Sequence, residues 1–415
     1  MYKESLFNLY IEKENKTYIY NTLSGAMVAF KDKVDFQNVS CENEETLLKQ
    51  GFIVDESLDE LNMLKCQRNW TIWNSHPKGI VFTVATTMAC QANCPYCFEK
   101  KTGSKSKMTT DVAENVAGFI EKRVLQTSTQ KVQVTFFGGE PTLAINPMLV
   151  IGERLKKFCE DRSVQYVSTI ITNGILFSGA VAQDLHERIN MNRVQITLDG
   201  TRDTHNTIKG IDCFDTILSN INDVSEFMDV NIRLNISQDN REDMLELCSL
   251  LDRIIIRKDK VKIYTAMVRG DYEGCDDVDG MQYLEYDEFM NKLYNDFENS
   301  ELFERKRLLP KVGRAFCSFE SSCNCCIDPE GYLYKCEHDI GVKNKNIGNI
   351  LVGNNWSEYE MKFYRDYDER CIQKKCPYLP ICFGGCMMER NNGITENCNN
   401  IQSHLLHRLS TYLDM

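Results

Sequence analysis

Cys90, Cys94 and Cys97, in the run Cys90-Gln-Ala-Asn-Cys94-Pro-Tyr-Cys97, place three thiols on one tight loop. Three is the informative count. A structural zinc site takes four protein ligands, commonly in two pairs, whereas three thiolates on a 4Fe–4S cluster leave one iron with a position open to a substrate or cofactor. Zinc with a distant fourth ligand is the alternative that the spacing leaves open. A second cysteine pattern lies toward the carboxyl terminus, where ten cysteines fall between Cys317 and Cys398 and strand and helix signals are weak. Such a segment is expected to fold around metal rather than around a large apolar core.

Polar side chains at the ends of apolar runs supply further candidates. Gly138-Gly139-Glu140-Pro141 follows one run, Thr172-Asn173-Gly174 another and Asp199-Gly200 a third. Gly138 and Gly139 let a backbone approach a ligand closely, and Glu140 can accept hydrogen bonds from a cationic amine. Read singly, each of these strings is also an ordinary turn.

The elements that must position these residues alternate. Strand patterns begin at Ile80, Val132, Tyr166, Val194, Asn231 and Val261, with amphipathic stretches between them, such as Thr110 to Gln126 and Asn240 to Leu251. Strand–helix repeats of this kind imply an α/β fold with a parallel sheet, curled or open, whose chemistry gathers at the carboxyl ends of the strands. Before it, residues 1–78 read as a small mixed domain: paired strands around Glu12–Lys16, a capped entry to a short helix at Asn21–Gly25, a helix over Glu44–Gln50 and a connection over Trp70–Lys78. The expected division is 1–78, 79–270, an acidic bridging region 271–310 with a helix near Tyr283–Phe297, and 311–415.

Composition bounds the function. The 415 residues carry 48 Lys and Arg against 60 Asp and Glu, a net charge of -12 with no long basic run, so no nucleic-acid partner is expected. Nineteen cysteines in so large a chain, with no apolar signal core after Met1, point to reduced thiols and a cytoplasmic protein, and no apolar run is long enough to span a membrane.

The loop and the downstream strings together resemble the radical S-adenosylmethionine superfamily, over roughly residues 80 to 270. The resemblance implies a partial (β/α)6 TIM-like barrel. It also implies that the amino and carboxylate groups of S-adenosylmethionine chelate the unique iron held by Cys90, Cys94 and Cys97, and that reductive cleavage yields a 5′-deoxyadenosyl radical. Tyr96 is then placed to pack against the adenine, with Gly138, Gly139, Glu140, Thr172, Asn173 and Asp199 around the cofactor. Where related enzymes carry His-Asp-x-x-Arg, this chain reads His205-Asn-Thr-Ile-Lys209; Lys209 keeps the charge without the bidentate fork.

The carboxyl-terminal cysteines resemble the SPASM domain, which holds two auxiliary 4Fe–4S clusters, making three in all. The resemblance implies Cys317, Cys323, Cys336 and Cys386 as one ligand set and Cys371, Cys376, Cys382 and Cys398 as the other, with Cys325 or Cys326 able to substitute for Cys323. The first gap of the four-cysteine run is four residues rather than the usual two. Zinc remains an alternative here because paired cysteines at short spacing are also zinc-like. Glu337 stands where sulfatase-maturing relatives carry an aspartate proposed as a base, and a carboxylate there can take a proton. The amino-terminal segment, with Tyr18-Ile-Tyr-Asn-Thr-Leu-Ser-Gly25, resembles the winged-helix-like leader-recognition domain of ribosomal-peptide maturases, in which a leader pairs with the edge of a three-stranded sheet. The implied partners are a ribosomal precursor peptide and an electron donor such as flavodoxin or ferredoxin. The implied reaction is thioether or carbon–carbon crosslinking of that peptide, with formylglycine formation on a sulfatase and a zinc-bound scaffold as alternatives.

Overall fold

The computed structural model describes residues 1–31, 36, 41–268, 281, 283–303, 309–310, 317–364, 369–391 and 398–414. The chain forms two compact units that are not contiguous in sequence. One comprises Met1–Asn74, Arg305–Ser321 and Met361–Met415; the other comprises Ser75–Glu304 and Ser322–Glu360. The amino-terminal segment thus shares a unit with the end of the chain, which four consecutive segments do not capture.

In the first unit, β2 (Asn8–Lys13), β3 (Lys16–Asn21) and β4 (Met27–Phe30) form an antiparallel sheet, while β1 (Tyr2–Glu4) pairs with β5 (Ile53–Asp55). Glu14 and Asn15, both at positive φ, make the two-residue turn between β2 and β3 that the right-handed strand twist favours. The short helix expected after Asn21 is instead a turn into β4. The Asn21 carboxamide oxygen accepts from the Leu23 and Ser24 amides, and Gly25 at φ 74° reverses the chain. Helix α1 (Cys41–Lys49) matches its expectation. The first part of the stretch read as a connection, Trp70–Trp73, is the end of helix α2 (Glu60–Trp73), whose buried stripe of Glu60, Leu64, Arg68 and Ile72 alternates charged with apolar residues and so hides its period; the rest does connect to the next strand. Arg68 is paired with Glu320 at 3.0 Å, both enclosed.

The sheet packs on both faces. Leu9, Ile11 and Tyr20 bury against Ile381 and against Leu405 and Leu409 of the terminal helix Cys398–Asp414, and Ile19 on the other face meets Leu47, Phe52 and Ile53. Phe7 and Leu64 enclose Leu379 and Phe383. The cysteine-rich end therefore has a substantial apolar core, contrary to expectation, because strands from the other end of the chain supply half of it.

The second unit is built on β6 (Gly79–Thr87), β7 (Lys131–Gly138), β8 (Gln165–Thr172), β9 (Met191–Leu198), β10 (Asp229–Ile236) and β11 (Val261–Met267), all parallel and in sequence order. The connections carry α3 (Thr110–Thr127), α4 (Ile145–Glu160), α5 (Gly179–Ile189), α6 (Arg202–Lys209), α7 (Phe214–Ser225) and α8 (Arg241–Ile254). The expected partial barrel is present: β11 and β6 are not paired to each other, and β6 is followed at the other edge by β12 (Cys325–Ile327) and β13 (Tyr332–Tyr334). Along each barrel strand one set of alternate residues is sealed under the helices, as with Ile80, Phe82 and Val84, while the other lines the inner wall. Helix α9 (Tyr283–Asp296) fits the expected bridging helix; most of the acidic stretch before it, with Cys275, lies outside the described residues. Among the described residues no helix is long and apolar enough to cross a membrane.

Candidate active site

The cysteine loop leaves the carboxyl end of β6 and is held from several sides. The Gly139 amide donates to the Thr87 carbonyl and the Glu140 amide to the Ala89 carbonyl, each at 2.9 Å. A Cβ on Gly138, at φ 116°, would lie 2.0 Å from the Thr87 oxygen, and one on Gly139 would lie 2.4 Å from the Ala89 oxygen. The close approach these glycines permit is therefore between the end of β7 and the backbone entering the loop. Further along, the Asn93 amide donates to the Lys209 carbonyl at 2.9 Å, tying the loop to the end of α6. The Gln91 side chain reaches Asn173 Oδ1, and Asn173 Nδ2 lies 3.8 Å from the Cys90 sulfur.

Tyr96 and Lys209 form one polar strut with Asp199. The Tyr96 hydroxyl donates to Asp199 Oδ1 at 2.6 Å, and Lys209 Nζ lies 2.8 Å from Asp199 Oδ2 and 3.2 Å from the Tyr96 oxygen. Burial pushes the Asp199 carboxyl up, but Lys209 and then His205 outweigh it and hold it below the usual range. Lys209 is held well above its ordinary value by Asp199 against the effect of burial. His205 is enclosed, its pKa pushed down by burial to about 4, and its Nδ1 accepts from the Asp199 amide at 3.2 Å. Asp199 and Lys209 thus spend their charge on each other and on the loop, whereas the sequence suggested contacts to a cofactor.

Glu140 is fully enclosed. Its oxygens accept from the Thr142 amide at 3.0 Å, the Thr172 hydroxyl at 2.7 Å and the Asn173 amide at 2.8 Å, so it ties the end of β7 to that of β8. Burial pushes its carboxyl up despite these donors. With no exposed oxygen, it positions Asn173 rather than offering an acceptor to an amine.

Cys90, Cys94 and Cys97 border a cavity of about 720 Å³ that runs down the inner wall of the barrel past Asn173, Thr197 and Arg233 to Glu337. Burial pushes the Cys90 thiol up and the Cys97 thiol up to about 11, and the charges of the neighbouring cysteines add to both. Three thiols on one loop, Cys90 exposed and Cys94 and Cys97 half-buried, suit a cationic iron centre that draws them to thiolates. Among the described residues no group of three or more His, Cys, Asp or Glu side chains is arranged to hold a metal ion. Glu337 accepts from the Thr83 hydroxyl at 2.8 Å and is pushed up by burial. His338 stacks on Phe98, with ring centroids 4.0 Å apart.

Some lining residues escaped the sequence reading. Glu99 is 9 % exposed, with Oε1 unpartnered among the described residues, and burial, then Glu337 and Glu140, push it to about 8. Gln195, Thr197, Arg233 and Asn235 occupy alternate inner positions of β9 and β10. A signal existed for the last four: polar residues at every second position of otherwise apolar strands.

Of the carboxyl-terminal cysteines, Cys371, Cys376, Cys382 and Cys398 gather in the first unit. The charges of the other three act on Cys382, which burial pushes up to about 12, and Gln402 reaches Cys376 at 3.9 Å and Cys398 at 3.4 Å. Cys317 and Cys386 belong to the same unit, and Cys323 and Cys336 to the other. Cys325 and Cys326 are strand residues, in register with Phe82 and Thr83 of β6.

The comparisons agree with this geometry. The chain is 24% identical over 344 residues to the cysteine-type anaerobic sulfatase-maturating enzyme of Clostridium perfringens, covering 73% of this chain and 87% of that one. It is 26% identical over 191 residues to the radical SAM cyclopropyl synthase TigE of Paramaledivibacter caminithermalis, 40% of this chain and 39% of TigE. Among solved structures, anSMEcpe with bound AdoMet and Cp18Cys peptide superposes with a TM-score of 0.61 at 19% identity, covering 81% of this chain and 99% of that one. Streptococcus suis SuiB bound to precursor peptide SuiA gives 0.55 at 14% identity, over 93% and 95%. Residues 84–251, which include the cysteine loop and most of the barrel, match the model of the Radical SAM superfamily.

Proposed function

We propose that the protein is a radical S-adenosylmethionine enzyme that abstracts hydrogen from a ribosomally synthesised precursor peptide and closes a thioether or carbon–carbon crosslink. One observation carries this: a three-thiol loop opens onto a cavity whose wall also bears a half-buried carboxylate, Glu337. Cys90, Cys94 and Cys97 would hold the cluster that binds S-adenosylmethionine, with Asn173 and Tyr96 beside it. Cys371, Cys376, Cys382 and Cys398 would hold one auxiliary 4Fe–4S cluster, and Cys317, Cys323, Cys336 and Cys386 the other. When bound, these groups supply a carbon radical and a route for electrons, the latter fed by a flavodoxin or ferredoxin.

The chain's own residues bind, orient and shield. The inner wall sets the substrate against the loop, the packing around it excludes water, and Glu337 takes the proton the substrate must lose. The sheet β2–β3–β4, packed on both faces, leaves only its edges to take an added peptide strand, which supports leader recognition there. Likeness to SuiB over nearly the whole chain is consistent with this reading.

The 24% identity to a sulfatase-maturating enzyme favours a second reading, oxidation of a cysteine to formylglycine. Mass spectrometry separates the two after co-expression with candidate peptides from neighbouring genes and with a Cys-type sulfatase peptide. Crosslinking removes a pair of hydrogens and nothing else, whereas conversion of cysteine to formylglycine removes a pair of hydrogens and also exchanges the sulfur for oxygen. Failure of the anaerobically reconstituted enzyme to yield 5′-deoxyadenosine with S-adenosylmethionine and dithionite would sink both.

A further inference from the structure

We propose that Arg233 anchors the substrate by receiving a carboxylate of the bound peptide on the unused fork of its guanidinium; this rests on the peptide-modifying reading above. Arg233 lies on the inner wall of β10, in register with Thr197 of β9 and Tyr264 of β11, three residues short of the strand's carboxyl end. At roughly 3.3 Å per residue that is about 10 Å down the barrel, below the level of the cysteine loop. Its Nε donates to Asn235 Oδ1 at 2.9 Å, which fixes the plane of the guanidinium, and the side chain borders the cavity. Among the described residues, the terminal nitrogens have no hydrogen-bond partner and no carboxylate stands within ion-pair distance.

An arginine on such a wall has lost part of its hydration without recovering it from the protein, and two parallel N–H···O bonds to a carboxylate supply what is missing. The neighbouring protein groups do not. Tyr264 donates to Gln195 at 2.5 Å, and Glu337 accepts from Thr83, beyond ion-pair distance from Arg233. Arg233 belongs to the Glu337 side of the cavity, for its charge acts on Glu337, whereas the charges acting on Cys90 and Cys97 come from Glu140, Glu99 and the other cysteines. That places the anchor where a substrate would lie and away from the loop. The carboxylate has two possible sources, an acidic residue of the peptide or the methionyl carboxylate of S-adenosylmethionine, and the position of Arg233 selects the peptide.

The test uses reconstituted full-length enzyme under anaerobic conditions and two end-blocked probes, Ac-Gly-Gly-Asp-Gly-Gly-NH2 and its Asn counterpart, measured by equilibrium dialysis. The Asp probe should bind the wild type about tenfold more tightly than the Asn probe, as a charge-assisted bidentate pair predicts. Arg233→Gln should bring that ratio to about one, and Arg233→Lys should keep part of it. In parallel, S-adenosylmethionine is compared with its carboxyl methyl ester. Equal affinity of the two probes for the wild type overturns the proposal. So does an Asp-to-Asn ratio that survives Arg233→Gln, including the case in which discrimination between the cofactor and its ester is lost instead. Should Arg233→Gln not fold, the wild-type ratio and Arg233→Lys still decide. The binding ratio needs no turnover, so absence of 5′-deoxyadenosine would count against the radical reading and not against this one.

Discussion

In the barrel unit, the backbone that bears Cys90, Cys94 and Cys97 is held by hydrogen bonds donated from the end of β7 and one donated to the end of α6, and by the Tyr96–Asp199–Lys209 strut. In the other unit, the backbone that bears Cys371, Cys376 and Cys382 is held by apolar contact with Phe7, Leu64 and the faces of β2 and β3, and by one bond from Thr22 to the Pro377 carbonyl at 2.6 Å. The first loop takes its order from a barrel with a core of its own, so it is shaped before any metal arrives. The second takes its order from residues more than three hundred positions away in sequence. Loss of amino-terminal packing should therefore loosen the second region and leave the first standing.

Replacing all of Cys90, Cys94 and Cys97 by Ala has the largest expected effect. Formation of 5′-deoxyadenosine should disappear while the melting of the barrel stays near that of the parent, since the loop's ties to β7 and α6 are backbone hydrogen bonds that use no thiol. Product from the triple variant would show that another region starts the chemistry.

Next in size is Lys209→Met, which strands Asp199 as a buried charge. Breaking such a pair costs about 3–5 kcal/mol, visible as a lowered denaturation midpoint, whereas Lys209→Arg should retain most of the stability. Equal stability of Lys209→Met and the wild type would mean that the strut does not hold the loop.

Phe7→Ala probes the other unit, where the side chain is fully enclosed. A loss of about 3–5 kcal/mol is expected in that unit. Iron content after reconstitution should fall by the share that Cys371, Cys376, Cys382 and Cys398 hold, with the Cys90 loop still loaded. An unchanged iron count would break the contrast between the two regions.

The smallest effect belongs to Cys325→Ala. A buried strand thiol pushed up by burial to about 11 behaves as a small apolar side chain. Iron content should not change, and stability should drop by about 1 kcal/mol. Lost iron would instead place Cys325 among the ligands.

What could be read beforehand followed physical lines. The barrel strands showed because each is a short apolar run closed by Gly, Asn or Asp at its end, and a parallel sheet buried under helices demands such runs. Helix α2 did not show, because its buried stripe pairs Arg68 with Glu320, a residue 252 positions away. The turn at Asn21–Gly25 was misread because an Asn that caps a turn and an Asn that caps a helix satisfy backbone amides in the same way.

By itself the sequence determined the spacing of Cys90, Cys94 and Cys97, the order of the barrel strands and the polar signals at their ends, since each depends on residues within one turn or one strand of each other. Only the tertiary structure decided that Asp199 and Lys209 pair beside the loop, that Glu140 ties the end of β7 to that of β8, that Glu99 and Arg233 line the cavity with Glu337, and that the two ends of the chain fold as one unit. Those outcomes depend on which strand ends meet and which buried charges find a partner. Such pairings are made across the sheet and between distant segments, where local spacing carries no record of them.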